Sequence, residues 1–145
     1  MHTFSIAIHG GAGTILKSEI TPELEEAYHT GLKEALHAGY TVLEKKGSAL
    51  EAVKAAVIKL EDNVLFNAGK GSVFTKKGKH EMDASIMDGK TLDAGAVASV
   101  KNIRNPVLLA EAVMKCSNQL LIYLQFQKLI IVHQHIFLKF FVLLV

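Results

Sequence analysis

The chain has a single cysteine, no tryptophan and only two prolines. Because Cys116 has no second cysteine to pair with, no disulfide can form within the chain, which favours a reducing compartment. The 16 Lys and Arg residues nearly balance the 14 Asp and Glu residues, so the charge gives no indication of a nucleic-acid partner. The start has no basic segment followed by an apolar run, so no signal peptide is predicted. Together these absences predict a cytoplasmic protein.

The character of the sequence changes near residue 115. No Asp or Glu follows Glu111, no glycine follows Gly95, and residues 116–145 are apolar with scattered Gln, His and Lys. This tail has three interpretations: a membrane anchor, a genuine divergent terminus, or amino-acid sequence produced by a frameshift, intron read-through or assembly error. Polar and basic residues interrupt every stretch of about 20 residues that could span a bilayer, which disfavours the anchor. The abrupt loss of acids and glycines favours the third interpretation, so we predict one domain over residues 1–115 and a divergent apolar tail over 116–145 that does not continue its sequence pattern.

Local signals predict alternating strands and helices in the first part of the chain. Phe4–His9 is short and apolar and predicts a strand. Thr21, followed by proline and acidic residues, predicts the start of a helix that continues to about Leu43. Ser48 with Glu51 three residues later forms a capping-box pattern and predicts the start of a second helix.

The next segment carries turn signals between short apolar runs. Ser72–Phe74 predicts a short strand and Thr75–Lys79 the turn that reverses it, with its lysines on a solvated tip. A further apolar run, Leu92–Val100, and a third helix beginning at Asn105 complete the pattern. Helices and strands in this mixture predict an α/β (α+β) layered domain and leave the type of sheet open.

Three groups of residues carry the candidate chemistry, and each also has a structural interpretation. His9-Gly10-Gly11 is either a loop whose amides bind an anion or a glycine turn that lets two backbones approach. Asn67 is either an amide that fixes its loop or an orienting group. Asp83 and Asp88 are interpreted as turn and network residues rather than an acid–base pair.

Five motifs occur in order between Phe4 and Met114: HGGAG, LEDNVLFNAGKGSVF, EMDASIMDG, AGAVA and NPVLLAEAVM. With these motifs the chain resembles the plant-type asparaginase and isoaspartyl peptidase family of threonine-type N-terminal-nucleophile hydrolases. The resemblance implies a four-layer α-β-β-α sandwich, of which this chain would be one truncated part. It also implies a precursor that cleaves itself before a threonine in a Gly-Thr-Val-Gly type sequence, whose new amino group then acts as the base.

No Gly-Thr-Val-Gly occurs in the chain, and its one Gly-Thr pair, Gly13-Thr14, lies in the first loop. The resemblance therefore implies that the nucleophile and the substrate-binding residues are absent from this chain. It places Asn67 near the missing threonine and Gly10 and Gly11 in a loop that assists maturation. It also implies a loop that wraps a structural sodium ion with main-chain carbonyls, at Leu60, Glu61, Asn63, Phe66, Ala68 and Lys70. The alternative for this segment is an ordinary loop at a helix end, where carbonyls need partners.

Three functional hypotheses remain open on the sequence. By resemblance, the chain is the N-terminal part of an enzyme that hydrolyses L-asparagine or β-aspartyl peptides, is inactive alone, and needs a threonine-bearing half. That family assembles as a dimer of α–β units and needs no cofactor beyond the sodium ion. The alternatives are a non-catalytic partner or remnant, and a small tail-anchored membrane protein.

Overall fold

The computed structural model describes residues 4–10 and 20–116 and, beyond Cys116, the backbone of Leu121–Gln125 and Lys128–Val132. Gly11 and the Gly13-Thr14 pair lie outside the described residues. In chain order the elements are α1 (Pro22–Glu44), α2 (Ala49–Glu61), a 3₁₀ turn (Gly69–Gly71), β1 (Met82–Met87), β2 (Ala94–Val100), α3 (Pro106–Cys116), β3 (Leu121–Gln125) and β4 (Lys128–Val132).

Both helix starts predicted from capping signals are confirmed. The Thr21 hydroxyl accepts a hydrogen bond from the amide of Leu24 at 3.2 Å, and α1 begins at the proline that follows Thr21. At α2, the Ser48 hydroxyl accepts from the amide of Glu51 while the Glu51 carboxylate accepts from the amide of Ser48. These bonds satisfy amides that have no partner inside their own helix, so local chemistry is enough to fix where each helix begins.

The four strands form one mixed sheet in the order β1-β2-β3-β4. Strands β1 and β2 are antiparallel, β2 and β3 parallel, and β3 and β4 antiparallel. The parallel pairing of β2 with β3 follows from the connection between them, because α3 carries the chain back to the other end of the sheet. The chain is thus an α+β protein, as the sequence predicts.

Two predicted strands differ from the structure. Phe4–His9 forms no strand, because it pairs with no other strand among the described residues and lies along α1 instead. The Phe4 ring packs edge-on against Tyr40 at a centroid distance of 5.1 Å. Ser72–Phe74 is reduced to a single bridge between Phe74 and His80, although the reversing turn between them forms as predicted.

The core lies where α3 covers β1 and β2. Its buried apolar side chains are Met82, Ile86, Val97, Val100, Val107, Ala110 and Val113. Gly95 of β2 allows the close approach of α3, since a Cβ on it would lie 2.2 Å from the carbonyl oxygen of Ala110. Among the described residues, no helix combines the length and the apolar character that crossing a bilayer requires.

Candidate functional site

The segment between α2 and β1 begins with a loop that folds back on the end of α2. Asp62 ends the helix, and the chain then turns through Phe66 and the 3₁₀ turn Gly69–Gly71. Three main-chain bonds close this loop: Asn63 N to Leu60 O at 3.2 Å, Ala68 N to Phe66 O at 2.7 Å, and Gly71 N to Ala68 O at 3.0 Å. We call residues 60–71 the carbonyl loop.

Two glycines bring the two sides of the carbonyl loop together. A Cβ on Gly69, whose φ is +51°, would lie 2.3 Å from the carbonyl oxygen of Glu61. A Cβ on Gly71 would lie 2.2 Å from the carbonyl oxygen of Phe66 and 2.6 Å from that of Val64. Any larger residue would push the two sides apart. The carbonyl oxygens of Glu61, Val64 and Phe66 therefore lie close to these two glycines.

The ring of Phe66 joins the carbonyl loop to the glycine segment at the start of the chain. It is buried, and it packs edge-on against Tyr28 with ring centroids 5.7 Å apart. A Cβ on Gly10 would lie 2.8 Å from Cε1 of Phe66 and 2.7 Å from Cδ2 of Leu32. On the opposite side, a Cβ on Gly31 would lie 2.9 Å from Cε2 of the same ring. Gly10 thus serves close packing here, which is the structural interpretation of this glycine.

Among the residues predicted to act together, the structure brings Gly10 and the carbonyl loop into contact. Asn63 also packs on α1, because a Cβ on Gly31 would lie 2.6 Å from its Nδ2 atom. The Asn63 side-chain oxygen accepts a hydrogen bond from the amide of Leu65 at 2.9 Å. Asn67 is exposed, and its side-chain oxygen accepts from the amide of Val73 at 3.0 Å. Gly11 lies outside the described residues.

Two adjacent acids at the end of α2 connect this loop to the start of α3. The buried Glu61 carboxylate accepts a hydrogen bond from the amide of Val107 at 3.0 Å. Desolvation by burial raises the pKa of Glu61, and the bond from Val107 partly opposes that rise. The Asp62 carboxylate forms a two-bond ion pair with Arg104, 2.9 Å at each contact, and these bonds lower the pKa of Asp62.

The side-chain role of Glu61 was not predicted from the sequence, because the resemblance assigns only its main chain to the loop. The available signal was position: Glu61 comes at the end of an apolar helix, where an acid opposes the helix dipole and gains nothing from its own helix. Asp83 and Asp88 have the structural role predicted for them. Their carboxylates accept hydrogen bonds from the amides of Ser99 and Lys90, both at 2.8 Å.

A cleft of about 740 Å³ opens beside the carbonyl loop. The loop contributes Asp62, Gly69 and Lys70 to its wall, and the rest comes from residues near the ends of β1 and β2: Lys79, His80, Met82, Lys101, Asn102, Ile103 and Arg104. Among the described residues, no group of three or more His, Cys, Asp or Glu side chains is placed to hold a metal ion. The main-chain oxygens of the carbonyl loop are the candidate cation donors that the resemblance implies.

Comparison with known proteins shows the family to which this chain belongs. The chain belongs to the asparaginase family, whose model matches residues 2–129. The match confirms the resemblance carried by the five motifs, and it ends inside the segment predicted to be a divergent tail. The domain boundary near residue 115 stays a prediction.

The relatives are named as L-asparaginases, as isoaspartyl peptidases, or as both. An isoaspartyl peptidase/L-asparaginase of Xenopus laevis is 52% identical over 117 residues, covering 81% of this chain and 36% of the relative. A plant-type L-asparaginase of Pyrococcus furiosus is 54% identical over 118 residues, covering 81% of this chain and 37% of the relative. An isoaspartyl peptidase of Salmonella typhimurium is 49% identical over 121 residues, covering 83% of this chain and 39% of the relative. The chain thus spans little more than a third of each relative.

Proposed function

We propose that this chain supplies the N-terminal part of an enzyme that hydrolyses L-asparagine or β-aspartyl peptides. The observation that carries the proposal is the family match over residues 2–129, together with relatives named for these two activities. The alternative of a tail-anchored membrane protein rests on residues 116–145, of which the structure describes Cys116 and the backbone of two strands. With one exposed, unpaired cysteine in the described residues, a reducing cytoplasmic location fits the proposal.

The nucleophile of this reaction comes from residues outside this chain. The sequence contains no Gly-Thr-Val-Gly, so the threonine whose amino group activates its own hydroxyl has to be provided by a second segment. The chain alone is then inactive. With that segment it would complete the four-layer α-β-β-α sandwich and assemble as a dimer of α–β units.

The carbonyl loop is the proposed site of a structural sodium ion. Hard cations of this kind take oxygen ligands, and the loop concentrates main-chain oxygens around Gly69 and Gly71. The carbonyls of Leu60, Phe66 and Ala68 accept hydrogen bonds from the main chain, and the oxygens of Phe66 and Ala68 each keep a second lone pair for a cation. The main chains of Glu61, Asn63 and Lys70 complete the proposed ligand set, so side-chain identity matters little there.

Two further residues act by position in this proposal. Gly10 packs on Phe66 and so holds the described end of the glycine segment against the carbonyl loop. Asn67 closes the same loop through the amide of Val73 and is exposed, so a threonine-bearing segment can reach it. Neither residue supplies a nucleophile. Both hold the backbone near the position that the threonine takes.

The test is release of ammonia and aspartate from L-asparagine and from a β-aspartyl dipeptide. The purified 145-residue chain should give no turnover. In a chimera, residues 2–115 of this chain replace the matching segment of the Pyrococcus furiosus plant-type asparaginase, which retains its own C-terminal part. We expect the chimera to be active and to lose activity when Asn67→Ala is added. Turnover by the chain alone would require a nucleophile within it, and the proposal would be wrong.

A further inference from the structure

Glu61 is among the most buried side chains of the described residues, with 3% of its surface exposed. One carboxylate oxygen accepts a hydrogen bond from the amide of Val107, which lies 46 residues further along the chain. The other oxygen, Oε2, is buried and meets no hydrogen-bond donor in good geometry among the described residues, although the nearby side chain of Asn105 acts to lower the pKa of Glu61. Burying a carboxyl group with an unsatisfied oxygen costs free energy, so its retention at this position calls for a compensating role.

The partner of Glu61 in α3 explains part of that role. Val107 follows Pro106 at the start of α3, where the first amides have no carbonyl partner within the helix. The Glu61 carboxylate satisfies one of these amides, and a negative charge near a helix N-terminus is also favoured by the helix dipole. Glu61 therefore acts as a capping residue for a helix to which it does not belong.

The main chain of Glu61 makes the second contact. A Cβ on Gly69 would lie 2.3 Å from the Glu61 carbonyl oxygen and 2.7 Å from the Glu61 Cβ atom. The turn that contains Gly69 therefore rests directly on Glu61. One residue is in contact with the inside of the carbonyl loop through its backbone and with the start of α3 through its side chain.

We propose that Glu61 is a positioning residue that couples the carbonyl loop, which carries Asn67, to the N-terminus of α3. When the loop is closed on Gly69, the Glu61 side chain is held at the Val107 amide. When that cap is lost, the loop loses its support. The coupling is inferred from these contacts alone. Its relevance to the hydrolytic reaction rests on the proposed function.

The adjacent residue strengthens this connection. Asp62 pairs with Arg104, and its Oδ1 atom also accepts a hydrogen bond from the side chain of Asn105 at 3.3 Å. Both acids at the end of α2 thus bind the segment that leads into α3. The Asp62 contacts are exposed or half-buried, so water can replace them, but it cannot easily replace the buried contact of Glu61.

The first test perturbs the loop and measures the helix, with hydrogen exchange of the 145-residue chain as the measurement. Gly69→Ala places a methyl group against Glu61, whereas Gly78→Ala is the matched control: its φ is also positive, at +66°, and nothing lies within 4 Å of its Cβ position. We expect Gly69→Ala to speed exchange of the Val107 amide about tenfold or more, the size expected for losing a bond to a charged group. Gly78→Ala should leave it within about twofold. A Val107 amide that exchanges at the wild-type rate in Gly69→Ala would overturn the coupling.

The second test perturbs Glu61 itself and measures both sides. Glu61→Ala removes the acceptor, so the amides of Val107, Gly71 and Ser72 should all exchange faster. Glu61→Gln retains an oxygen at the same position and should restore all three toward wild type. If Glu61→Ala accelerates Val107 alone, the loop is not coupled to the cap and the proposal fails. If Glu61→Ala unfolds the whole chain, amides in the middle of α1 also exchange rapidly. The comparison of Gly69→Ala with Gly78→Ala then decides whether the coupling exists.

These measurements do not depend on catalysis. If the chimera proves inactive while exchange at the loop and α3 changes together, the proposed function fails and the coupling stands. If the chimera is active while the two regions exchange independently, the coupling fails and the proposed function stands.

Discussion

The side-chain oxygen of Asn67 accepts a hydrogen bond from the main-chain amide of Val73, six residues further along the chain, at 3.0 Å. This bond spans the 3₁₀ turn Gly69–Gly71 and joins the two ends of the loop that contains it. The amide of Asn67 therefore has a definite structural task in this chain, whatever the threonine-bearing segment adds.

Two substitutions of Asn67 distinguish the contribution of its acceptor oxygen to stability from that of the whole side chain. Asn67→Ala should lower the free energy of unfolding by about 1 kcal/mol, because the amide of Val73 loses its partner. Asn67→Asp retains an acceptor oxygen and should cost less. Urea denaturation measures both, with Lys70→Ala, an exposed neighbour in the same turn, as the control expected within about 0.5 kcal/mol of wild type. An Asn67→Ala variant as stable as the control would show that the bond contributes nothing.

Some of this fold could be predicted because its causes are local. The helix starts depend on Thr21, Ser48 and Glu51, each of which bonds an amide no more than three residues away. The turn before His80 likewise depends on short-range bonds, including the amide of Gly78 to the carbonyl of Thr75. Local sequence determines such features before any packing occurs.

The predicted strand at Phe4–His9 was wrong because a strand needs a partner, which a local apolar pattern does not provide. The side-chain task of Glu61 was missed for a similar reason: its partner Val107 is distant in sequence, and a spacing rule cannot reveal it. The resemblance pointed to the right loop, but only the structure shows that Gly10 and Phe66 are in contact.

Gly95 is predicted to be essential for packing α3 on β2. A Cβ at this position would lie 2.2 Å from the carbonyl oxygen of Ala110 and 2.5 Å from the amide nitrogen of Met114, and both are backbone atoms that cannot move alone. Gly95→Ala should therefore destabilise the chain by about 1–3 kcal/mol or more through overpacking. Gly89→Ala is the matched control, since nothing lies within 4 Å of its Cβ position. Equal thermal unfolding midpoints for the two variants would contradict the close contact.

Sodium is predicted to stabilise the chain through the carbonyl loop. Replacing choline chloride by sodium chloride at equal ionic strength should raise the thermal unfolding midpoint by a few degrees, since an ion that binds only the folded state shifts unfolding by mass action. Lys70→Ala should retain the shift, because the proposed ligand is the main chain of Lys70. Gly69→Ala should lose it. If wild type has the same midpoint in both salts, the loop holds no sodium.

The pH dependence of stability should depend in part on Glu111. This buried carboxylate on α3 lies 2.7 Å from Lys115 and 2.9 Å from Lys54, and the pKa of Glu111 is lowered by hydrogen bonds first from Lys115 and then from Lys54. Because its pKa is lower in the folded chain, Glu111 contributes stability above the ordinary glutamate pKa of about 4.3 and loses it as pH falls through the folded value.

Glu111→Gln should therefore be less stable than wild type near neutral pH and approach it in acid. Urea denaturation between about pH 7 and pH 3 measures the difference in the free energy of unfolding between the two proteins. Contributions from acids that titrate alike in both proteins cancel in this difference. Glu34→Gln is the control, since it removes an exposed carboxylate that belongs to no ion pair among the described residues. A gap between wild type and Glu111→Gln that stays constant across this range would mean that the two lysines act on Glu111 by packing and not by charge. In that case Lys54→Met, which keeps an apolar stem on α2 and removes the ammonium group, would be as stable as wild type near neutral pH.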